Sequence, residues 1–269
     1  DGGAVSTHPP IPPRPDGLHP APSMPPGPGA PDGFPTTATW SWYEALGVYL
    51  LAFVLAGLAT LPFIQLMEPE ADLTNIVLTV VAALVIIGVL VLWLSRYHRG
   101  WLAVLRLPEP GTWRKEVGSG VLFGIGLYPV MVFVVGGLLT VLLQTISGEP
   151  VEAPEQVGEH LPAVGTALTV VYAIVIAPIG EELFFRGVLF RALRDRHGFW
   201  VGAVGSSIGF GLIHFIPGSA IDAALLMTVM FFTGIALCFI YERRRTIVAP
   251  IAAHVTFNVI GIVLILGLR

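Results

Sequence analysis

Long apolar runs recur from Tyr43 to the end of the chain, separated by short polar segments. A helix rises about 1.5 Å per residue, so about 17 to 25 apolar residues cross the hydrocarbon core of a bilayer. Seven runs predict membrane-spanning helices, near 45–66, 75–94, 117–146, 162–190, 200–216, 221–241 and 247–267. The run at 162–190 is too long for one straight crossing, and its Pro178 favours a kink. We therefore predict an all-α, polytopic transmembrane bundle of about seven to eight helices.

Residues 1–39 have a different pattern, rich in Pro, Gly and Ala and poor in large aliphatic side chains. Such a segment buries too little apolar surface to offset the entropy lost on ordering. We expect a disordered tail, with a polyproline ligand for an adaptor domain as the alternative. No basic segment precedes an apolar one near the start, so a cleavable signal peptide is not evident.

Composition narrows the class of protein. Hydrophobic residues make up 54% of the chain and charged residues 12%, with a mean hydropathy of +0.79, whereas soluble domains have about 25% charged residues. This indicates an integral, multi-pass membrane protein in contact with the lipid bilayer. No basic stripe accompanies the net charge of −4, so nucleic acid is not an expected partner. The single cysteine, Cys238, excludes an internal disulfide and a Cys-rich metal site.

The distribution of Lys and Arg predicts the orientation, because cytoplasmic loops are enriched in these residues. The predicted loops at 68–72 and 149–159 are acidic. Basic residues follow the second, fourth and sixth spans: Arg96, Arg99, Arg106, Arg114 and Lys115; Arg191, Arg194 and Arg196; Arg243, Arg244 and Arg245. Seven spans then place the N-terminus in the cytoplasm and the C-terminus outside. Tryptophans near span ends, including Trp40 and Trp200, are expected to be interfacial anchors.

Polar residues inside three of the apolar runs are the candidate functional residues, because a charge at membrane depth is energetically costly unless it is paired or faces water. Helical rise places Glu181, His214, His254 and Asn258 about 15, 21, 14 and 20 Å from the basic boundary of their spans. Groups at similar depth on different helices can meet. We therefore predict that these four side chains line one water-accessible cavity.

Spacing suggests which of these groups cooperate. Glu182 and Arg186 stand at i,i+4, with the acid first, the favourable order for an ion pair. Glu181 is rotated by about 100° from Glu182, so it can stay unpaired and act as a general base. His254 and Asn258 share a helix face and can donate hydrogen bonds to a developing oxyanion.

The three motifs together resemble a known family. They are E-E-x-x-x-R at Glu181, Glu182 and Arg186, F-x-x-x-H at Phe210 and His214, and H-x-x-x-N at His254 and Asn258. In this order on successive membrane helices they are similar to the CPBP intramembrane proteases. That group contains type II CAAX prenyl endopeptidases and bacteriocin-processing or immunity proteins. The resemblance covers about residues 160–262, and the predicted division is a tail at 1–39, N-terminal transmembrane helices at 40–150 and a CPBP-like catalytic core at 151–269.

The resemblance implies an intramembrane endopeptidase that hydrolyses a membrane-associated or lipidated peptide. It implies that Glu181 activates water, that His214 assists it, and that His254 and Asn258 stabilise the oxyanion. Glu182, Arg186 and Phe210 would support these groups. Family members have been treated both as metalloproteases and as glutamate-dependent proteases; a divalent metal such as zinc, if bound, would take Glu181, His214 and His254 as ligands.

Other functions stay open at this point. Gly205 to Gly209 match G-x-S-x-G, so a rhomboid-like pair of Ser207 and His254 is a rival mechanism, although packing of small residues also explains this run. A non-enzymatic scaffold or immunity protein could use the same fold to bind a partner. A proton-coupled transporter could use Glu181 and the histidines as a relay. The zinc-protease motif H-E-x-x-H is absent.

Overall fold

The computed structural model describes residues 37–66, 72–148, 150–151 and 162–267. Within these ranges every regular element is helical, which confirms the predicted all-α class. The expectation of a disordered tail falls almost entirely outside the described residues, and so do most of the two acidic loops.

Eight continuous helices occur in the described part of the chain. They are α1 (Trp42–Leu66), α2 (Asp72–Tyr97), α3 (Trp101–Leu105), α4 (Trp113–Ser147), α5 (Ala163–His197), α6 (Phe199–Leu212), α7 (Ala220–Arg244) and α8 (Val248–Gly267). Six of them, all except α3 and α6, are long and apolar enough to cross a membrane. The chain is therefore an integral membrane protein with several spans.

The predicted span at 200–216 is wrong in its extent. Helix α6 ends at Leu212, and its 14 residues cover about 21 Å, less than the thickness of the hydrocarbon core. The chain then turns through residues 213–219, where Pro217 cannot continue a helix and Gly218 has a φ of 138°. The connection from α5 to α7 still runs from one end of the bundle towards the other, but only its first part is helical.

Helix α5 stays continuous through Pro178, where a kink was predicted. Two π-helical segments, Tyr172–Ile176 and Glu182–Phe190, flank this proline. Hydrogen bonds of the i→i+5 type widen the helix locally and accommodate the missing backbone donor. A third such segment, Val130–Gly136, follows Pro129 in α4. The π-helical segment Glu182–Phe190 begins at the second residue of the acidic pair Glu181–Glu182. The irregular backbone therefore coincides with this pair.

Small residues let the helices approach closely, as expected of glycine-rich runs in membrane helices. A Cβ atom on Gly124 of α4 would lie 2.5 Å from the carbonyl oxygen of Ala253 in α8. A Cβ on Gly234 of α7 would lie 2.7 Å from the hydroxyl of Ser207 in α6. These contacts set the positions of α6 and α8, the helices that carry the motif histidines or lead into them.

The basic segments meet at one end of the bundle. Arg194 at the end of α5 pairs with Glu242 near the end of α7, and Arg244 pairs with Glu116 at the start of α4. We call this the basic end; it comprises residues 98–116, 191–200 and 241–247. The prediction that the basic loops share one side fits these contacts. That this side faces the cytoplasm stays a prediction.

Trp40 does not serve as the interfacial anchor that we predicted. Its side chain is fully buried, and the indole N–H donates to the carbonyl of Val188 in α5 at 3.0 Å. Nearby, the backbone N–H of Ala38 donates to the carboxylate of Asp195 at 2.8 Å. The segment just before α1 therefore packs against α5, so ordered packing begins slightly before residue 40.

Candidate active site

Glu182, Arg186 and His254 are in direct contact in the interior of the bundle, and the other motif residues lie around them. Glu181, Glu182 and Arg186 lie on the irregular part of α5, His254 and Asn258 lie on α8, and His214 follows the end of α6. Most of the surrounding side chains on α5 are buried, from Glu182 through Phe190. The polar groups are thus held inside an apolar environment, where each interaction between charges is strong.

Glu182 is the centre of the cluster. One of its carboxylate oxygens, Oε1, accepts from Nη1 of Arg186 at 3.0 Å and from Nδ1 of His254 at 2.9 Å. The Glu182 side chain is fully buried, and the side chains of Arg186 and His254 are 1% and 6% exposed. The predicted ion pair between Glu182 and Arg186 is present, and the contact with His254 extends it to a second helix.

Arg186 fixes the cluster to the neighbouring helices. Its Nη2 donates to the backbone carbonyl of Gly234 in α7 at 3.2 Å, and its guanidinium lies 4.2 Å from the centre of the Phe210 ring in α6. A planar guanidinium can bind a carboxylate, a carbonyl and an aromatic face at once. One residue of α5 therefore contacts α6, α7 and, through Glu182, α8.

Glu181 is separate from this ion pair, as its rotation around the helix predicted. Its Oε2 lies 3.9 Å from Nε2 of His254, too far for a hydrogen bond. This oxygen is buried and makes no hydrogen bond to any described residue, while the side chain as a whole is 18% exposed. Glu181 thus carries a carboxylate oxygen that is still able to accept a proton or a hydrogen bond.

His214 reaches the cluster through Phe210 and not by direct contact with an acid among the described residues. Its Nδ1 is 2.7 Å from the backbone carbonyl of Phe210, so Nδ1 carries the proton and donates. The imidazole rings of His214 and His254 both pack against the Phe210 ring, at centroid distances of 4.8 and 5.8 Å. Phe210 therefore sets the relative position of the two histidines.

Asn258 makes a contact that the sequence did not predict. Its side-chain amide donates to the backbone carbonyl of Ala173 at 2.7 Å. Ala173 lies in the first π-helical segment of α5, where the helical hydrogen bonds are rearranged. Asn258 therefore ties α8 to α5, and an amide nitrogen carries a second N–H for another acceptor.

Two tyrosines near the site escaped the sequence analysis. The hydroxyl groups of Tyr49 in α1 and Tyr172 in α5 lie near the carboxylate of Glu181. The ring of Tyr49 is stacked on Phe184, with centroids 3.7 Å apart. Tyrosines at any depth of a span are compatible with simple packing, so nothing in the sequence separated these two from the others.

A metal site does not fit the residues as they are placed. Among the described residues, no group of three or more His, Cys, Asp or Glu side chains is arranged to hold a metal ion. Of the three ligands predicted for zinc, Glu181 and His254 approach each other, with Oε2 and Nε2 3.9 Å apart, whereas His214 makes no such contact with Glu181. We therefore derive no catalytic step that passes through a metal.

Ser207 is placed for packing. Its side chain is 1% exposed and lies against Gly234 of α7, and its hydroxyl oxygen makes no hydrogen bond to a described residue, His254 included. A serine nucleophile needs a base within hydrogen-bond reach. The rhomboid-like alternative therefore gains no support from this arrangement.

A comparison with known proteins finds a family match in the region that carries the motifs. Residues 163–260 match the family model described as "Type II CAAX prenyl endopeptidase Rce1-like". This part of the chain is similar to the Rce1-like family. All motif residues, from Glu181 to Asn258, lie inside the match, which supports an intramembrane peptidase at the level of the family. Helices α1 to α4 lie outside it.

Two proteins are similar to this chain over different lengths. One, "Putative membrane peptidase YdiL" of Bacillus subtilis (strain 168), is 32% identical over 97 residues, which cover 36% of this chain and 37% of that protein. The other, "Uncharacterized 24.3 kDa protein" of Escherichia coli, is 27% identical over 168 residues, or 61% of this chain and 71% of that protein. The chain thus spans little more than a third of YdiL. No solved structure matches the chain significantly.

Proposed function

We propose that the protein is an intramembrane endopeptidase in which Glu181 activates the water that attacks the peptide bond. One observation carries this proposal: a buried network orients His254 so that its Nε2 faces a Glu181 oxygen that has no other described partner. A carboxylate held this way can accept a proton from water. The Rce1-like family of the surrounding region supports the same class of reaction.

The proposed reaction follows from these positions. Glu181 takes a proton from water, the water oxygen bonds to the carbonyl carbon, and the carbonyl oxygen becomes negative. Glu181 then returns the proton to the departing nitrogen as the carbon–nitrogen bond breaks. His214, next to Phe210, assists on the α6 side. Donors held in a site without bulk water stabilise the negative oxygen strongly, because the surroundings need not reorganise.

His254 and Asn258 are proposed as those donors, but they differ in one respect. Nδ1 of His254 donates to the carboxylate of Glu182, which is the acceptor. His254 therefore donates from Nε2 only when both ring nitrogens are protonated. The amide of Asn258 donates at any pH. Its bond to Ala173 leaves one N–H for the oxyanion.

The proposed substrate is a membrane-associated or lipidated peptide. Glu181 and His254 lie within helices apolar enough to span the bilayer, so a peptide must enter the membrane region to reach them. The matched family is described as that of a prenyl endopeptidase, which agrees with such a substrate.

A non-enzymatic scaffold of the same fold is the second candidate, and the cellular products distinguish the two. Membrane peptides should be compared by mass spectrometry between cells with the native protein and cells with Glu181→Ala. The enzyme predicts new peptide termini that depend on Glu181. Identical peptides in both cell lines, together with a native phenotype of the variant, would support the scaffold.

A further inference from the structure

A groove opens at the basic end, outside the candidate active site. It lies between the start of α6 and the end of α7, has a volume of about 360 Å³, and is lined by Phe199, Phe239, Glu242, Arg243 and Arg245. Pockets of about 300 to 1,000 Å³ are large enough for small ligands. None of the motif residues lines this groove, so the proposed peptidase chemistry does not use it.

The two arginines supply the charge of the groove. The only acidic side chain in its lining, Glu242, accepts hydrogen bonds from Nε and Nη2 of Arg194. Arg243 and Arg245 are exposed, and neither forms an ion pair with another described residue. The groove therefore presents positive charge that its own acid does not neutralise.

The region behind the groove does not supply compensating negative charge. Asp195 pairs with Arg191 at 3.0 Å and with Arg194 at 3.2 Å, so one carboxylate serves two arginines. A further arginine, Arg106, lies close enough that burial and then the charge of Arg191 lower its pKa. A bound anion would be attracted by this excess of arginine.

Two of the five lining residues, Phe199 and Phe239, are aromatic, and this indicates the kind of anion. Phe239 is 53% exposed, and Trp200, next to Phe199, is 69% exposed. Exposed aromatic rings at a membrane boundary contact the region between headgroups and acyl chains. A phospholipid offers both a phosphate and apolar chains, whereas a soluble anion would use only the arginines. We infer that the groove binds the headgroup of an anionic phospholipid, with Arg243 and Arg245 on its phosphate.

Native mass spectrometry can test this inference on the full chain. The protein is reconstituted in nanodiscs with equal amounts of phosphatidylglycerol and phosphatidylcholine, released, and the lipids that stay bound are identified. Each arginine near a membrane surface contributes about a fivefold preference for anionic lipid. The double variant Arg243→Gln/Arg245→Gln should therefore lose about 30-fold of the preference for phosphatidylglycerol. Both side chains are exposed, so their replacement should leave the fold intact. The single variant Arg243→Gln, which changes a residue within a regular helix, should lose about fivefold of the preference for phosphatidylglycerol.

The matched control is Arg114→Gln/Lys115→Gln, which removes two exposed positive charges at the same end but outside the groove. This control should keep the native preference. An unchanged preference in the groove variant would overturn the inference, and so would an equal loss in the control, which would indicate diffuse surface charge. Release of the lipid by inorganic phosphate alone would assign the groove to a free anion and would also overturn it.

Discussion

Glu182 illustrates how a buried charge is made tolerable in this protein. A carboxylate without partners inside a membrane bundle is strongly unfavourable, but this one accepts from a guanidinium and an imidazole. Both partners are themselves fixed, Arg186 by the carbonyl of Gly234 and His254 by the ring of Phe210. The stability of the cluster and the orientation of His254 therefore depend on the same oxygen.

The variant Arg186→Ala tests this dependence. It removes the cationic partner of a fully buried acid, and breaking a buried pair in this way costs about 3 to 5 kcal/mol. We expect a large loss of folded protein and of cleavage. Thermal unfolding in detergent measures the first effect.

The matched control is Arg196→Ala, which removes an exposed arginine at the end of the same helix and should change unfolding little. If Arg186→Ala melts like the native protein while only substrate affinity falls, Arg186 binds substrate and does not hold the site together.

At the residue scale, spacing predicted one pair, Glu182 with Arg186, but not the contacts between helices. The shared cavity of Glu181, His214, His254 and Asn258 stays a prediction. The i,i+4 rule predicted the pair of Glu182 and Arg186, and helical rise predicted similar depths on three helices. The contact between Glu182 and His254 depends on the rotation of α8 about its own axis, which no local pattern reports. Likewise, the carbonyl that Asn258 binds is offered by a π-helical turn, which has no clear sequence signal.

The packing of α4 on α8 controls the position of His254 at the level of elements. Gly120 and Gly124 of α4 lie against the backbone and small side chains of α8, around Ala253. Ala253 directly precedes His254, so the closest approach of the two helices lies beside a motif residue. Apolar periodicity predicted both helices, yet it could not predict that α6 ends at Leu212, because the apolar run continues through Ile216.

A glycine pair on α4 tests this packing. In Gly124→Ala the new methyl group would lie 2.5 Å from the carbonyl oxygen of Ala253, so α8 must shift. Overpacking of this kind costs about 1 to 3 kcal/mol. We expect lower thermal stability and lower cleavage together.

Gly126→Ala serves as the control for that variant, because nothing lies within 4 Å of its added methyl group. It should be neutral or slightly stabilising, since alanine favours a helix more than glycine does. Equal melting temperatures for the two variants would show that α4 and α8 do not need this close approach.

The basic segments of the described residues meet at one end of the bundle. Interhelical ion pairs between Arg194 and Glu242, and between Arg244 and Glu116, gather the basic segments at one end. The predicted crossings put these segments at one end, and the ion pairs agree with that placement although α6 is short. The side of the membrane that this end faces follows only from the positive-inside rule.

Cysteine labelling tests the orientation. Glu109→Cys places a thiol at the basic end, and Ser147→Cys places one at the other end of α4, while the native Cys238 is buried. With an impermeant maleimide on intact cells, we expect labelling of Ser147→Cys only. Glu109→Cys should react after the membrane is opened. The opposite pattern would show that the basic end faces outwards.

The central claim concerns Glu181, and the most direct measurement is peptide cleavage by its isosteric variant. Glu181→Gln keeps the size of the side chain but removes the oxygen that accepts the proton. Native protein, Glu181→Gln and Ser207→Ala should each be purified in nanodiscs and incubated with membranes from cells lacking the protein, and new peptide termini counted by mass spectrometry. We predict near-complete loss of cleavage for Glu181→Gln at a native melting temperature, and little change for Ser207→Ala. Native cleavage by Glu181→Gln, or its loss in Ser207→Ala, would contradict the proposed mechanism.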